Sequence, residues 1–499
     1  MRPSRLLLAA LLAAAALPAR AQTADALLAA FEPSVTEFTL ANGMDFIVVQ
    51  RPDAPVISFV TYADVGSVDE PFGQTGIAHM FEHMAFKGTT LLNATDIEAE
   101  LAALDAEEKA YQALRRARDA GADSTALGPL QTAFEAARDA AKALVESAEF
   151  DRLLTQNGAV GLNAFTSADQ TGYFYSLPAN KAELWFATES DRFANPVLRE
   201  YYVERDVVME ERRLRTENQP FGRMREEFFA AAFKAHPYGQ PVVGHMSDLE
   251  SISRTEAEAF FEAYYAPNNL TAVIVGDVDP AEMRALAERY FAPLPAGEDP
   301  PPIRTVEPEQ LGERRVRLVD ASQPILQMGW HRPSGRHPDA PVYTVLADIL
   351  GTGRTSRLHR ALVEPGAALF ANAGAANPGD KYPTLFTSIA VPNQGVAPDS
   401  VEALVYATIQ ALVDEGVTET ELQRAKARAR SGLVARLASN QNLGLELAFA
   451  HVLQGDWREL FRELDAINAV TDADVRRVAA ETFREANRTV GLIGPADDA

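Results

Sequence analysis

Tyr264-Tyr265-Ala266-Pro267-Asn268-Asn269-Leu270-Thr271-Ala272-Val273-Ile274-Val275-Gly276 returns, altered but alignable, as Thr482-Phe483-Arg484-Glu485-Ala486-Asn487-Arg488-Thr489-Val490-Gly491-Leu492-Ile493-Gly494. Each copy reads as a helix end, an Asn-containing turn and a short apolar strand stopping at Gly. Such a return implies two related α/β halves. Between the copies, residues 293–312 contain Pro293, Pro295, Pro300, Pro301, Pro302 and Pro308 together with Gly297. A stretch missing so many backbone donors cannot enter a sheet interior and reads as a semi-extended linker. The expected fold is α+β: two homologous α/β domains, each a sheet with packed helices, over 22–292 and 313–499.

Working outward, Phe38-Thr39-Leu40, Asp45-Phe46-Ile47-Val48-Val49 and Val56-Ile57-Ser58-Phe59-Val60 are strand-like runs, the first two joined by a turn at Asn42-Gly43. Ile77 to Phe86 and Pro280 to Tyr290 read as helices, the second opening on its proline. Residues 96–155 do not fit the repeat. They are rich in Ala, Glu, Arg and Leu, with Gly121-Ala122-Asp123-Ser124 and Gly128-Pro129 in the middle. Leu101, Leu104, Ala110 and Leu114, then Leu130, Phe134, Ala137 and Leu144, give apolar stripes on two arms. The expectation is an inserted helical hairpin projecting from the first domain, chiefly as a solvated arm.

Composition narrows the function. The chain has 499 residues, too many for one core, and its 47% apolar and 23% charged content is that of a folded protein. A formal charge of −24 argues against nucleic acid as the main partner. With no cysteine, disulfides, thiolate metal sites and thiol catalysis are excluded. Residues 1–21 read as a signal peptide: Arg2 and Arg5, a Leu/Ala run from Leu6 to Leu17, then Ala19-Arg20-Ala21. Cleavage there would remove three arginines and take the charge to −27, leaving an exported protein with no membrane span, periplasmic in a Gram-negative source.

The chemistry lies in His79-Met80-Phe81-Glu82-His83. Residues four apart share a helix face, so both imidazoles can reach one metal ion, with Glu82 close enough to take a proton from water there. Ile77, Met80 and Met84 fall on the opposite side and can anchor the helix. Two imidazoles need a further protein ligand. The candidate lies in Glu204-Arg205-Asp206-Val207-Val208-Met209-Glu210-Glu211. Seven residues are nearly two helical turns, so Glu211 and Glu204 share a face and Glu210 is rotated off it. Glu211 is the candidate ligand, and Glu204 a carboxylate that can orient an imidazole or position the water. Taken alone, this segment would also suit a solvated acidic helix face.

The inverted His-x-x-Glu-His with a distant Glu-Glu pair on a helix resembles the pitrilysin/insulinase family of zinc peptidases, the inverzincins, in its bacterial two-domain form. The likeness runs from about Thr36 to Gly494. It takes in Gly76-Ile77-Ala78, Phe86-Lys87-Gly88-Thr89, Asn163-Ala164-Phe165-Thr166-Ser167 with Asp169, Thr171 and Tyr173, and His236-Pro237-Tyr238-Gly239. It implies Zn2+ held by His79, His83 and Glu211, with Glu82 as general base and Glu204 as auxiliary catalytic carboxylate. It implies two homologous domains forming half of a clamshell around an extended peptide, which pairs with Asn163, Ala164, Phe165 and Thr166 as an added strand. The sequence departs from the pattern twice. The hairpin lengthens the step from His83 to Glu211 to 128 residues. Glu364 and Phe370 also fall where active relatives carry an Arg and a Tyr that grip the substrate carbonyl.

The resemblance therefore implies a zinc metalloendopeptidase acting on oligopeptides or unfolded segments. A homologous partner subunit would supply the missing Arg/Tyr pair. A homodimer using Arg357 or Tyr382 instead is the second arrangement. A peptide-binding or assembly subunit without catalysis, and a zinc hydrolase acting on non-peptide esters, are the alternatives. The acidic composition suggests a preference for basic peptides.

Overall fold

The computed structural model describes residues 24–146 and 148–496. The expected signal peptide, 1–21, lies outside the described residues. In the first half, α1 (Ala24–Phe31) leads into β1 (Val35–Thr39), β2 (Asp45–Gln50), β3 (Val56–Ala63) and α2 (Ile77–Met84). Then come α3 (Ile97–Asp119), α4 (Ser124–Lys142), α5 (Glu149–Gln156), β4 (Val160–Thr166), β5 (Thr171–Pro178) and α6 (Ala182–Ala194). The half closes with α7 (Tyr201–Arg212), α8 (Pro220–Ala232), α9 (Met246–Ser251), α10 (Arg254–Tyr264), β6 (Leu270–Gly276) and α11 (Pro280–Tyr290). The second half runs through β7 (Arg314–Val319), β8 (Ile325–Arg332), α12 (Ala340–Gly351), β9 (Ala368–Asn377) and β10 (Thr384–Pro392). It ends with α13 (Pro398–Glu415), α14 (Glu419–Arg436), α15 (Asn440–Phe449), α16 (Glu459–Ala469), α17 (Asp472–Thr482) and β11 (Arg488–Gly494).

The sheets are ordered β1-β2-β6-β3-β5-β4 and β7-β11-β8-β10-β9. Without β1 the orders are the same, and in each sheet one pair is parallel, β2–β6 and β7–β11. The repeat extends to single hydrogen bonds. Asn269 Nδ2 donates to the Tyr264 carbonyl (2.8 Å) and the Asp64 carbonyl (3.3 Å). Asn487 Nδ2 donates to the Thr482 carbonyl (2.9 Å) and the His331 carbonyl (2.8 Å). In each half this amide closes the helix that precedes the second strand of the shared order and pins that strand to its neighbour.

The halves interlock. One face of the first sheet, through Ile47, Val49, Val60, Tyr62, Val273 and Val275, is covered by helices of the second half carrying Leu443, Leu447, Leu460, Phe461 and Leu464. In return α8 of the first half lays Met224, Phe228 and Phe229 against the second sheet. Gly329 permits that contact, because a Cβ there would stand 2.7 Å from Phe228 Cζ. The proline-rich stretch is extended as expected, but it is docked: Glu307 accepts the backbone N–H groups of Lys234 and Ala235 (each 2.8 Å) and His236 (3.0 Å).

The hairpin differs from the expectation. α3 and α4 are antiparallel helices, but they form part of the wall of the first half and not a solvated arm. Leu104, Tyr111, Leu114 and Phe134 are buried, and Tyr111 and Phe134 stack around Tyr202 with ring centroids 4.4 and 5.1 Å away. Leu101, placed on the apolar stripe, is 43% exposed. The stripe that packs is rotated towards Tyr111, whose hydroxyl donates to the Glu250 carbonyl (2.9 Å). Beneath the hairpin lies Arg199, fully buried. Its guanidinium donates to both Glu100 oxygens (2.6 and 3.1 Å) and to the carbonyls of Lys87, Leu92 and Thr89 (each 2.8 Å). Removing one partner of a buried pair leaves the other uncompensated. Arg199→Ala is expected to destabilise the protein by about 3–5 kcal/mol, read as an early first transition in urea; an unchanged midpoint would contradict the role assigned to Arg199.

Candidate metal centre

α2 opens at Gly76, whose φ of +91° is left-handed and whose absent Cβ would meet the Val243 carbonyl at 2.7 Å. Glu70 caps this start, accepting the N–H groups of Gly76 and Ala78 (each 2.9 Å). Ile77, Met80 and Met84 are buried as expected, which turns His79 and His83 towards α7. Their rings stand 5.0 Å apart at 85°. From α7, Glu211 Oε2 comes within 3.8 Å of His79 Nε2 and 3.5 Å of His83 Nε2. Among the described residues, His79, His83 and Glu211 form a group whose ligand atoms all lie within 4.8 Å of one another.

Glu204, nearly two turns back on α7, reaches the far side of the His83 imidazole: its Oε2 is 3.3 Å from His83 Nδ1. That contact favours the tautomer in which Nε2 faces Glu211 with a free lone pair. Lys87 holds Glu204 in turn at 2.5 Å and Glu200 at 3.2 Å. Burial pushes the His79 pKa down to about 3, helped by His83 and Arg215, so this imidazole is neutral, as a ligand must be. Its Nδ1 is buried without a hydrogen-bonding partner. For His83 burial works downward, but Glu204, Glu211 and Glu82 outweigh it and raise the pKa. Burial raises Glu204, yet His83 and Lys87 bring it below the ordinary carboxylate value. Glu82 is raised by burial, with Thr166 and His83 acting in the opposite sense. Two imidazoles and the Glu211 carboxylate converging on one point, with Glu204 behind His83, make a donor set that suits a divalent cation, so the residues fit a metal.

His79, Glu82, His83 and Glu211 line a cleft of about 770 Å³ together with Asn163, Ala164, Phe165 and Thr166. These four belong to β4, which is the outer strand of its sheet, so its free edge is available to an added strand. In the second half, Glu364 and Phe370 are both exposed and neither lines this cleft. The two substitutes considered for the missing pair are placed elsewhere. Arg357 is committed to Glu421 (2.8 and 2.9 Å) and the Gly416 carbonyl, and Tyr382 packs on His236. Four groups at the site carried no role in the sequence reading: Glu70, Lys87, Arg215 (paired with Glu211) and Arg225. Lys87 stood within the quoted Phe86–Thr89 stretch, but nothing in its spacing pointed at Glu204.

Two family models match the chain. The one described as Insulinase (Peptidase family M16) matches residues 46–116 and 142–245, and the one described as Peptidase M16 inactive domain matches 251–429. The break at 117–141 leaves most of α3 inside the match and nearly all of α4 outside it. The chain is 26% identical over 476 residues to the zinc protease PqqE of Helicobacter pylori, covering 93% of each. It is 23% identical over 481 residues to the probable mitochondrial-processing peptidase subunit beta of Schizosaccharomyces pombe, covering 93% of this chain and 92% of that one. Among solved structures it matches a protease from Helicobacter pylori with a TM-score of 0.77 at 25% identity, over 92% of this chain and 99% of that one. It matches a peptidase M16 inactive domain structure from Pseudomonas fluorescens with a TM-score of 0.73 at 16% identity, over 93% and 98%. With the family's domains in both halves, around an inverted His-x-x-Glu-His helix, the chain belongs to the pitrilysin/insulinase family of peptidases, family M16.

Proposed function

We propose that this protein is an exported, zinc-dependent endopeptidase that hydrolyses oligopeptides or unfolded segments inside an enclosed chamber. The observation that carries the reading is the convergence of His79, His83 and Glu211 beside Glu82 and the free edge of β4. Zinc, when bound by these three residues, supplies a Lewis acid for the water and the peptide carbonyl. Glu82 accepts the proton of the attacking water and returns it to the leaving amine; its raised pKa suits a group that must both take and give. Glu204 keeps the His83 ring in place through Nδ1, and Lys87 keeps Glu204 ionised. The substrate lies as an extra strand on Asn163 to Thr166, where backbone bonding tolerates many side chains.

An Arg/Tyr donor pair from a homologous partner subunit completes the chamber, since Glu364 and Phe370 offer none and Arg357 is engaged. Loss of one such donor costs about 100- to 1000-fold in turnover. The zinc-loaded single chain is therefore expected to cleave peptides at about 1% or less of the rate reached with its partner; full activity from the single chain removes the heterodimer.

Glu82→Gln is expected to keep its zinc and lose peptide cleavage by at least about 100-fold, and wild-type turnover in that variant would refute the base assignment. His83→Ala should purify without zinc. Glu204→Gln should weaken zinc binding by about 10- to 100-fold, measured by competition with a chelating dye, whereas unchanged affinity would show that Glu204 does not support His83.

A further inference from the structure

Two clefts share Glu82, His83, Asn163 and Ala164. The smaller, about 530 Å³, runs past Lys87 to Asp151, Glu200 and Glu204. The larger runs past Glu211 to Arg215, Gln219, Phe221 and Arg225. Nearly all their cations are already matched. Lys87 is held by Glu204 and Glu200, and Arg215 pairs with Glu211. Even the carboxylate next to Arg225 on the chain, Glu226, is taken by Arg212 through both oxygens (2.8 and 2.9 Å).

Arg225 is the exception. Among the described residues it has no carboxylate partner and no hydrogen bond from its guanidinium, which stands 5.5 Å from the centroid of the Phe229 ring. It is exposed to solvent, yet the concave wall around it desolvates it enough to lower its pKa. Phe221, Arg225 and Phe229 follow each other at four-residue steps along the face of α8 that lines the cleft. Met224 and Phe228, on the neighbouring face, are fully buried against the second sheet, so the helix cannot roll and the base of the Arg225 side chain stays on the cleft wall. An unpaired guanidinium over the Phe229 ring, beside a peptide track, has one natural complement, a carboxylate held by a forked pair of hydrogen bonds.

We propose that Arg225 is a specificity-determining residue that selects peptides by a substrate carboxylate, an acidic side chain or the chain terminus, on the Arg225 side of Glu82. This deepens the peptidase reading and rests on it. It also reverses the preference suggested by net charge, since the free charge on this wall is positive.

Peptide affinity is measured by fluorescence anisotropy on full-length, zinc-loaded Glu82→Gln, which retains its ligand uncut, with peptides differing only in one Glu, Gln or Lys and with free or amidated ends. Wild-type cleavage of the same series is mapped by mass spectrometry. The expected result is about 10-fold preference for Glu over Gln, with Lys weaker still. Adding Arg225→Gln flattens the series and adding Arg225→Glu inverts it. A Glu-over-Gln preference that survives amidation assigns the carboxylate to a side chain; affinity alike across Glu, Gln and Lys that falls on amidation, and no longer falls in the Arg225→Gln background, assigns it to the terminus. Equal binding of the Glu and Lys peptides with no loss on amidation, or an unchanged order in the Arg225→Glu background, overturns the proposal. Charge-ordered binding with no cleavage by the wild type even together with its partner subunit would leave Arg225 standing and sink the peptidase reading instead.

Discussion

A guanidinium without access to water fixes where the third candidate ligand, Glu211, can be. Arg199 stands just before α7, and its five donors are shared among Glu100 on α3 and the carbonyls of Lys87, Thr89 and Leu92, in the loop that leaves α2. One side chain thus ties together the start of the helix bearing Glu204 and Glu211, the hairpin, and the exit of the helix bearing His79 and His83. A buried ion pair contributes little net stability once desolvation is counted. What it contributes here is geometry, because a planar fork satisfied on all sides admits one arrangement of three segments. The long excursion between His83 and Glu211 costs little for the same reason. Loop-closure entropy grows only logarithmically with length, and the hairpin leaves and returns close to that clamp.

The second constraint is the exchange of helices between the halves. α8 lines the cleft with one face while its other face belongs to the core of the second sheet, and Pro378 of the second half lies on the cleft wall. The cleft of the first half is therefore built on the second, although the candidate metal ligands His79, His83 and Glu211 and the neighbouring Glu82 all come from the first. Such a second half need not carry catalytic groups to be required for the site. The reciprocal burial of Leu443, Leu447 and Phe461 on the first sheet makes the dependence mutual.

Much of this was legible in the sequence where a pattern repeats over several residues. The four-residue step from His79 to His83 and the seven-residue step from Glu204 to Glu211 fix helix faces whatever surrounds them, and both were read correctly as geometry. The paired closers ending at Gly276 and Gly494 gave the shared topology, because an Asn that bonds back to the preceding helix end is a local device. The hairpin's packing was not legible. Its apolar residues are sparse, and the contact is made by Tyr111 and Tyr202, aromatic rings with polar tips that composition counts as neutral. The partners of Lys87 and Arg215, and the want of one for Arg225, were equally hidden: a single charge carries no periodic signal, and its meaning depends on which neighbour folding delivers.

That last point decides how the overall acidity bears on recognition. A formal charge of −24 spreads over a surface of 22254 Å², and in salt the field of a distant carboxylate is screened within roughly 8 Å. Inside a cleft walled by protein the nearest unpaired charge prevails, because low-dielectric walls exclude the ions that would screen it. Net charge therefore governs solubility and long-range encounter, whereas selection along the peptide track follows from which local charges are left unmatched. Of the carboxylates beside α8 in the cleft, Glu226 is matched by Arg212 and Glu211 by Arg215, and the guanidinium of Arg225 is left over.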